Sequence, residues 1–359
     1  MKSFKLDNIT WLDGLRGVAV IIVLGSHFGH ARMNIFPNIN LIGFGQFGIY
    51  IFFFLSWFLL SRQFYKREEK ITIRYLISYF NKRIFRVIPL YYIVLMIDFY
   101  ITKVYFPDQN INMLFSCMLL KEAPGVFRTI PIEIKSYLLL PVVSVIFKKL
   151  SKNKEGCIIL IITVISMVFL NIYFGDTNIL GTLGIEKYYI YFIAGSITAL
   201  IHEKIRTYKF NNNLITKSVL AICITMLVIQ IPIIWIKIFP GYASVYEINW
   251  EEFYQYRYLI GVFIIPIIVL ITLLDEKSFL KKVLDSKILR YIGKISFSIY
   301  CIHMLVINVV FYTFLDFSSS IKSIITLIIT LIFSTITYYL IETTFIKIGH
   351  KLNSKIYNK

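Results

Sequence analysis

Residues 12–29, LDGLRGVAVIIVLGSHFG, carry an Arg at one end, an unbroken apolar run from Val18 to Gly25, and a His near the other end. A run of this kind fits a helix crossing lipid, where only helices and closed barrels satisfy their own backbone. Arg16 and His27 are costly in hydrocarbon unless they face a bundle interior or a wet cavity, so both are candidates for function, although an Arg at a helix start also reads as a positive-inside anchor. Eleven positions separate them, about three helical turns, which puts them on one face roughly 16 Å apart along the axis.

Working outward, similar runs recur along the 359 residues at approximately 15–29, 41–60, 84–106, 130–147, 157–174, 187–201, 218–236, 257–274, 295–314 and 322–341. The composition agrees: 57% hydrophobic, 17% aromatic, only 16% charged, and a mean hydropathy of +0.71. Together these predict an all-α, polytopic helical bundle of about ten transmembrane helices. No internal repeat, low-complexity tract or Gly/Ser linker divides it, so a single integral domain over 1–359 is expected.

A net charge of +18 would suggest nucleic acid in a soluble chain, but its distribution points to topology instead. With the N-terminus in the cytosol, 29 of the 38 Lys and Arg fall on inner segments and 8 on outer ones, with Lys135 inside a span. Both termini are therefore expected in the cytoplasm, and no nucleic-acid partner is expected. The start has a basic character without a small-residue cleavage site, and reads as a retained first helix. The segment from about 237 to 256 is acidic and aromatic, suited to stacking on sugar rings, although an interfacial belt accounts for such residues as well.

Cys117, Cys157, Cys223 and Cys301 are scattered, without metal-ligand or disulfide spacing, and no metal is expected. Asp13 precedes the first span; it reads as a helix cap or as the orienting partner of a catalytic group. Lys82, Arg83 and Arg86 stand just before the third expected span, where they fit either a phosphate-bearing ligand or lipid head groups. Glu133 opens the fourth span, either as a macrodipole charge or as a group that orients a base. His303 lies among apolar residues of the ninth span, a buried polar knot or a further site residue. His30 reads as interfacial, and His202 and His350 sit among basic residues without assigned chemistry.

LDGLRG followed by His27 resembles the opening signature of the acyltransferase 3 family of integral membrane acyltransferases. IFFFLSWFLLSR, KRIFRVIPLYY, PIEIKSYLLLP, ISFSIYCIHMLV and IETTFIKIG are similar to its later segments, in the same order, so the resemblance covers nearly the whole chain. It implies transfer of an acyl group, usually acetyl from acetyl-CoA, to a hydroxyl of a surface polysaccharide, lipid-linked glycan or related envelope molecule. Arg16 and His27 match the family's essential pair, and Arg83 and Arg86 its basic motif. Trp57 replaces a customary Gly, which puts close helix packing in question, and Ser136 replaces a customary aromatic beside Glu133, which affects pocket shape.

The expectation is thus a multi-pass O-acetyltransferase of the bacterial cytoplasmic membrane. Catalysis falls to His27 with Arg16, Asp13 and Glu133, donor binding to Lys82, Arg83 and Arg86, and His303 is a further candidate. The chain stops soon after its last span, so no fused extracytoplasmic domain is expected. It then works on its acceptor at the membrane or hands the acyl group to a separate acyl-accepting protein; a homo-oligomer stays open. The rival from another class is a flippase for a lipid-linked glycan, which would leave its substrate chemically unchanged.

Overall fold

The structure is a computed structural model that describes residues 9–33, 41–67, 71–105, 111–121, 123, 125–156, 158–159, 162, 165–166, 188–205, 213–229, 232–238 and 278–357. The expected span at 257–274, most of the one at 157–174, Cys157 and nearly all of the aromatic segment at 237–256 lie outside the described residues. Among the described residues there is no strand. The helices are α1 (Thr10–His30), α2 (Gly45–Lys66), α3 (Ile73–Tyr105), α4 (Ile111–Met118), α5 (Thr129–Leu150), α6 (Tyr189–Ile205), α7 (Asn213–Ile229), α8 (Pro232–Ile238), α9 (Phe279–Leu284), α10 (Lys287–Lys294), α11 (Ser296–Thr313), α12 (Ser319–Thr337) and α13 (Thr343–Tyr357). A single 3₁₀ turn, Gly125–Arg128, leads into α5, and a π turn, Tyr338–Glu342, joins α12 to α13.

Six segments of the described residues are long and apolar enough to cross a bilayer: Thr10–His30, Gly45–Lys66, Ile73–Ile101, Gly125–Leu150, Ser296–Thr313 and Ser319–Ile356. The chain is therefore a multi-pass helical membrane protein. Pro89 inside α3 and Pro141 inside α5 are tolerated in such helices because neighbouring groups satisfy the freed carbonyls. The expected start of the third span at 84 is too late. Lys82, Arg83 and Arg86 break the apolar run, yet α3 is continuous from Ile73, because charged residues interrupt hydropathy without interrupting backbone hydrogen bonding.

Contacts divide the chain into two units, with α1 and α5 contributing to both. The first comprises residues 1–26, 41–68 and 138–294. In it α2 lies along α6 through ring contacts: Tyr50 stacks on Tyr191 at 4.0 Å, while Phe53 and Trp57 meet Phe192 tilted, at 4.7 Å and 5.4 Å. Trp57 thus does not hold the helices apart. The small residue that permits close approach is on the partner helix instead, where any Cβ on Gly195 would collide with the Phe54 carbonyl. The glycines of LDGLRG serve the same end. A Cβ on Gly14 would strike the Leu284 carbonyl, one on Gly17 the Leu289 carbonyl, and one on the facing Gly293 the Asp13 carbonyl.

Polar groups in this unit pair with one another. Ser61 Oγ donates to Ser196 at 2.9 Å, Ser144 Oγ to Ser61 at 3.2 Å, and the Tyr65 hydroxyl bonds Ser196 at 2.6 Å, a buried knot joining α2, α5 and α6. One turn on, Arg62, only 2% exposed, donates from Nε to Glu203 Oε1 at 2.7 Å. Lys66 lies 3.7 Å from Oε2, and His202 Nδ1 3.4 Å from Oε1. His202 is therefore buried beside a carboxylate and not part of a solvated basic surface. Burial alone would raise the Glu203 carboxyl, but His202, Arg62 and Lys66 outweigh it and hold it down at about 2. Because that value lies below the usual carboxylate range, the stabilisation is present above about pH 4 and is lost as pH falls through the lowered value.

The second unit comprises residues 27–40, 69–137 and 295–359. Here α13 is fastened to α3 by Asn353, which donates to the Ser78 carbonyl at 3.2 Å and accepts from Asn81 at 3.3 Å. The Tyr91 and Tyr92 hydroxyls donate to the Cys117 and Met118 carbonyls and tie down the C-terminus of α4. The π turn carries Glu342 inward, where it is 3% exposed and accepts from Ser298 at 3.1 Å.

Gly17→Ala should destabilise the protein by about 1–3 kcal/mol, since backbone must move to admit the methyl. Gly25→Ala meets only the Leu41 side chain and should cost less; thermal unfolding in detergent checks the difference. Glu203→Gln, leaving Arg62 buried without its carboxylate, should cost about 3–5 kcal/mol, and adding Arg62→Met should restore most of the loss in the same assay.

Candidate active site

The last turn of α1 and the middle of α11 bring two imidazoles together in the second unit. The His27 and His303 ring centres are 5.1 Å apart, tilted by 48°. His27 is half-buried, while His303 is 1% exposed. His30 lies 6.1 Å from His27 and is exposed.

His303 is held by its own helix. Its Nδ1 sits 3.1 Å from the Ile299 carbonyl and 2.8 Å from the Tyr300 carbonyl, and since carbonyls only accept, Nδ1 carries the proton. Nε2 is then the lone-pair nitrogen; it is buried and has no hydrogen-bond partner. The Tyr300 hydroxyl is engaged elsewhere, donating to the Val126 carbonyl at 2.6 Å and lying 2.7 Å from Thr129 Oγ1, so it fixes α11 to the start of α5.

From that start, α5 presents Glu133. Its Oε1 accepts from the Tyr137 hydroxyl at 2.6 Å, a contact between residues four apart on one helical face. The Tyr79 hydroxyl of α3 donates to the Tyr137 carbonyl at 3.2 Å. Ser136 is fully buried and donates to the Glu133 carbonyl at 2.7 Å, so the aromatic next to Glu133 is supplied by the following residue, Tyr137. Arg83 lies within electrostatic reach of Arg86, Tyr137, Tyr79 and Glu133, and its Nε is buried without a partner. The structure thus brings Glu133 and Arg83 into one polar region of the second unit. Lys82 is half-buried and within electrostatic reach of Arg83.

Arg16 is on the same continuous helix as His27, half-buried and about 16 Å away along the axis. Asp13 stands in the first turn of α1, about 21 Å along the axis from His27, too far to touch the imidazole. Among the described residues no three His, Cys, Asp or Glu side chains gather as a metal site would require. Sequence reasoning missed Tyr137 and Tyr79 as partners of Glu133 and Arg83; the i, i+4 spacing of Glu133 and Tyr137 was the available signal.

The family model described as an acyltransferase domain matches residues 9–342. The chain belongs to the acyltransferase 3 family. Two proteins from Staphylococcus aureus, strains COL and MSSA476, each named "Putative O-acetyltransferase", are 25% and 24% identical to it over 98% of its length. The chain spans 59% of the length of each of these relatives. No solved structure matches it.

Tyr137→Phe removes a donor from Glu133 and should lower stability by about 1–2 kcal/mol, read as a lower melting midpoint in detergent.

Proposed function

We propose that this acyltransferase is an O-acetyltransferase of the bacterial cytoplasmic membrane, moving acetyl from cytosolic acetyl-CoA to a hydroxyl of a cell-envelope polysaccharide or lipid-linked glycan. The observation that carries the reading is His27, an imidazole inside a membrane-spanning helix and against a second imidazole, in a family defined by acyl transfer. The names of the Staphylococcus aureus relatives favour acetyl transfer to oxygen.

The chemistry follows from what an imidazole can do beside a thioester. His27 takes the proton of the acceptor hydroxyl, whose oxygen attacks the thioester carbonyl carbon. The C–O bond forms, the C–S bond breaks, and the proton leaves with the CoA thiol. General-base catalysis of this kind contributes about 10²–10⁴-fold in rate. A two-step variant passes the acyl group through His27 itself, with the same net balance.

Arg83, Arg86 and Lys82 supply positive charge for the donor's phosphates, and a guanidinium such as Arg83, with a buried N–H lacking an acceptor, gains most from a phosphate oxygen. Arg16, on the same helix as His27, is a further cation for a phosphate near the cytosolic end of α1. Glu133, held by Tyr137, sets the electrostatics around Arg83, and Asp13 anchors the start of the helix that presents His27.

The test is the base-labile ester content of purified envelope polysaccharide, by proton NMR, in cells carrying wild type, His27→Ala or no copy at matched protein levels. Ester should be present only with wild type. Unchanged ester in all three would overturn acyl transfer and favour a flippase.

A further inference from the structure

We infer that His303 is the positioning residue for His27: its Nε2 lone pair accepts an N–H from the His27 ring and thereby fixes which His27 nitrogen is left to act as base. This deepens the acyl-transfer reading and rests on it for its catalytic consequence.

Three observations converge. First, the tautomer of His303 is dictated by its surroundings, because Nδ1 faces two carbonyls of its own helix and must bear the hydrogen. Nε2 is then an acceptor and nothing else. Second, that acceptor is buried and unpartnered in a side chain that is 1% exposed, a costly arrangement unless another group uses it. Third, the rings in contact with His303 are those of Tyr300 and His27, and the Tyr300 hydroxyl is already engaged with Val126 and Thr129. His27 remains. Its ring centre at 5.1 Å is at the separation of two imidazoles joined by an N–H···N bond of about 3 Å, so with the His303 ring held by its own helix the bond calls for reorientation of the His27 ring alone.

The chemical consequence follows the logic of catalytic triads, in which the base is oriented by a third group on its far nitrogen. A neutral His27 has one N–H and one lone pair. With the N–H committed to His303, the lone pair is presented to the acceptor hydroxyl. Once His27 has taken the proton, the same bond stabilises the imidazolium. The carboxylate that plays this part in serine hydrolases is replaced here by a neutral acceptor, which costs less to bury in a membrane helix.

The experiment uses the full chain in detergent, as wild type, His303→Gln and His303→Leu. Gln places an amide oxygen at the reach of Nε2 and keeps an acceptor there, whereas Leu fills the space without one. Two readouts are taken. ¹⁵N-histidine NMR, assigned with His27→Gln, reports the tautomer of His27 irrespective of activity; a single tautomer is expected in wild type and His303→Gln, and a mixture in His303→Leu. Ester content of polysaccharide from cells expressing each variant reports transfer, with His303→Leu reduced on the order of 10²-fold and His303→Gln within about tenfold of wild type.

An unchanged His27 tautomer in His303→Leu overturns the positioning role, as does equal loss of ester in both variants, which would mark a purely packing role. If His303→Leu fails to fold, a mixed tautomer or a full loss of ester in His303→Gln overturns it alone. Should the tautomer respond as expected while ester is independent of His27, the pairing stands, the acyl-transfer reading falls, and with it the catalytic consequence.

Discussion

In hydrocarbon no water is available to accept a stranded hydrogen bond, and this condition shows in how many polar side chains among the described residues are disposed. Ser61, Ser144, Ser196 and Tyr65 bond one another across three helices. Arg62, almost wholly buried, is matched to Glu203. Glu342 meets Ser298, and Asn353 meets Ser78 and Asn81. Against that background an unpaired buried nitrogen is conspicuous. Arg83 Nε and His303 Nε2 are among such atoms in the second unit, and both residues are ones that the proposed function uses.

Close approach of backbones is the second requirement, and it explains part of the LDGLRG motif that chemistry leaves untouched. Gly14 and Gly17 of α1 face Leu284, Leu289 and Gly293 of α9 and α10, with no room for a side chain. The helix therefore combines two duties: small residues at its start that let neighbours approach, with Arg16 between them, and His27 in its last turn.

Much of this was legible in the sequence, for identifiable reasons. Apolar runs of sufficient length reported α1, α2, α5, α11 and α12, because length and hydropathy are local properties. The boundary of α3 was misplaced, since hydropathy registers Lys82, Arg83 and Arg86 as an end where the backbone continues. His27 stood out as an ionisable residue in an apolar helix. Its neighbour His303 lies 276 positions away, and nothing local announces that α1 and α11 place the two rings together. The burial of His202 was likewise hidden, because its neighbours in sequence are the charged Glu203 and Lys204, and only the fold brings Arg62 of α2 to that carboxylate.

The turn from Tyr338 to Glu342 has a phase consequence. A π turn accommodates a residue more than the α-helical repeat allows, so the helix that follows is rotated about its axis relative to the one before, by about 100° per residue. On α12 the buried face is written by Ser323, Thr326, Thr330 and Ser334; from the last residue of the turn, Glu342, it continues on α13 through Gly349 and Asn353. These two stripes would not line up on one uninterrupted cylinder. The wider turn acts as a mechanical coupling between two gears of different phase, letting a single rod of chain present its polar stripe first to α11 and then to α3.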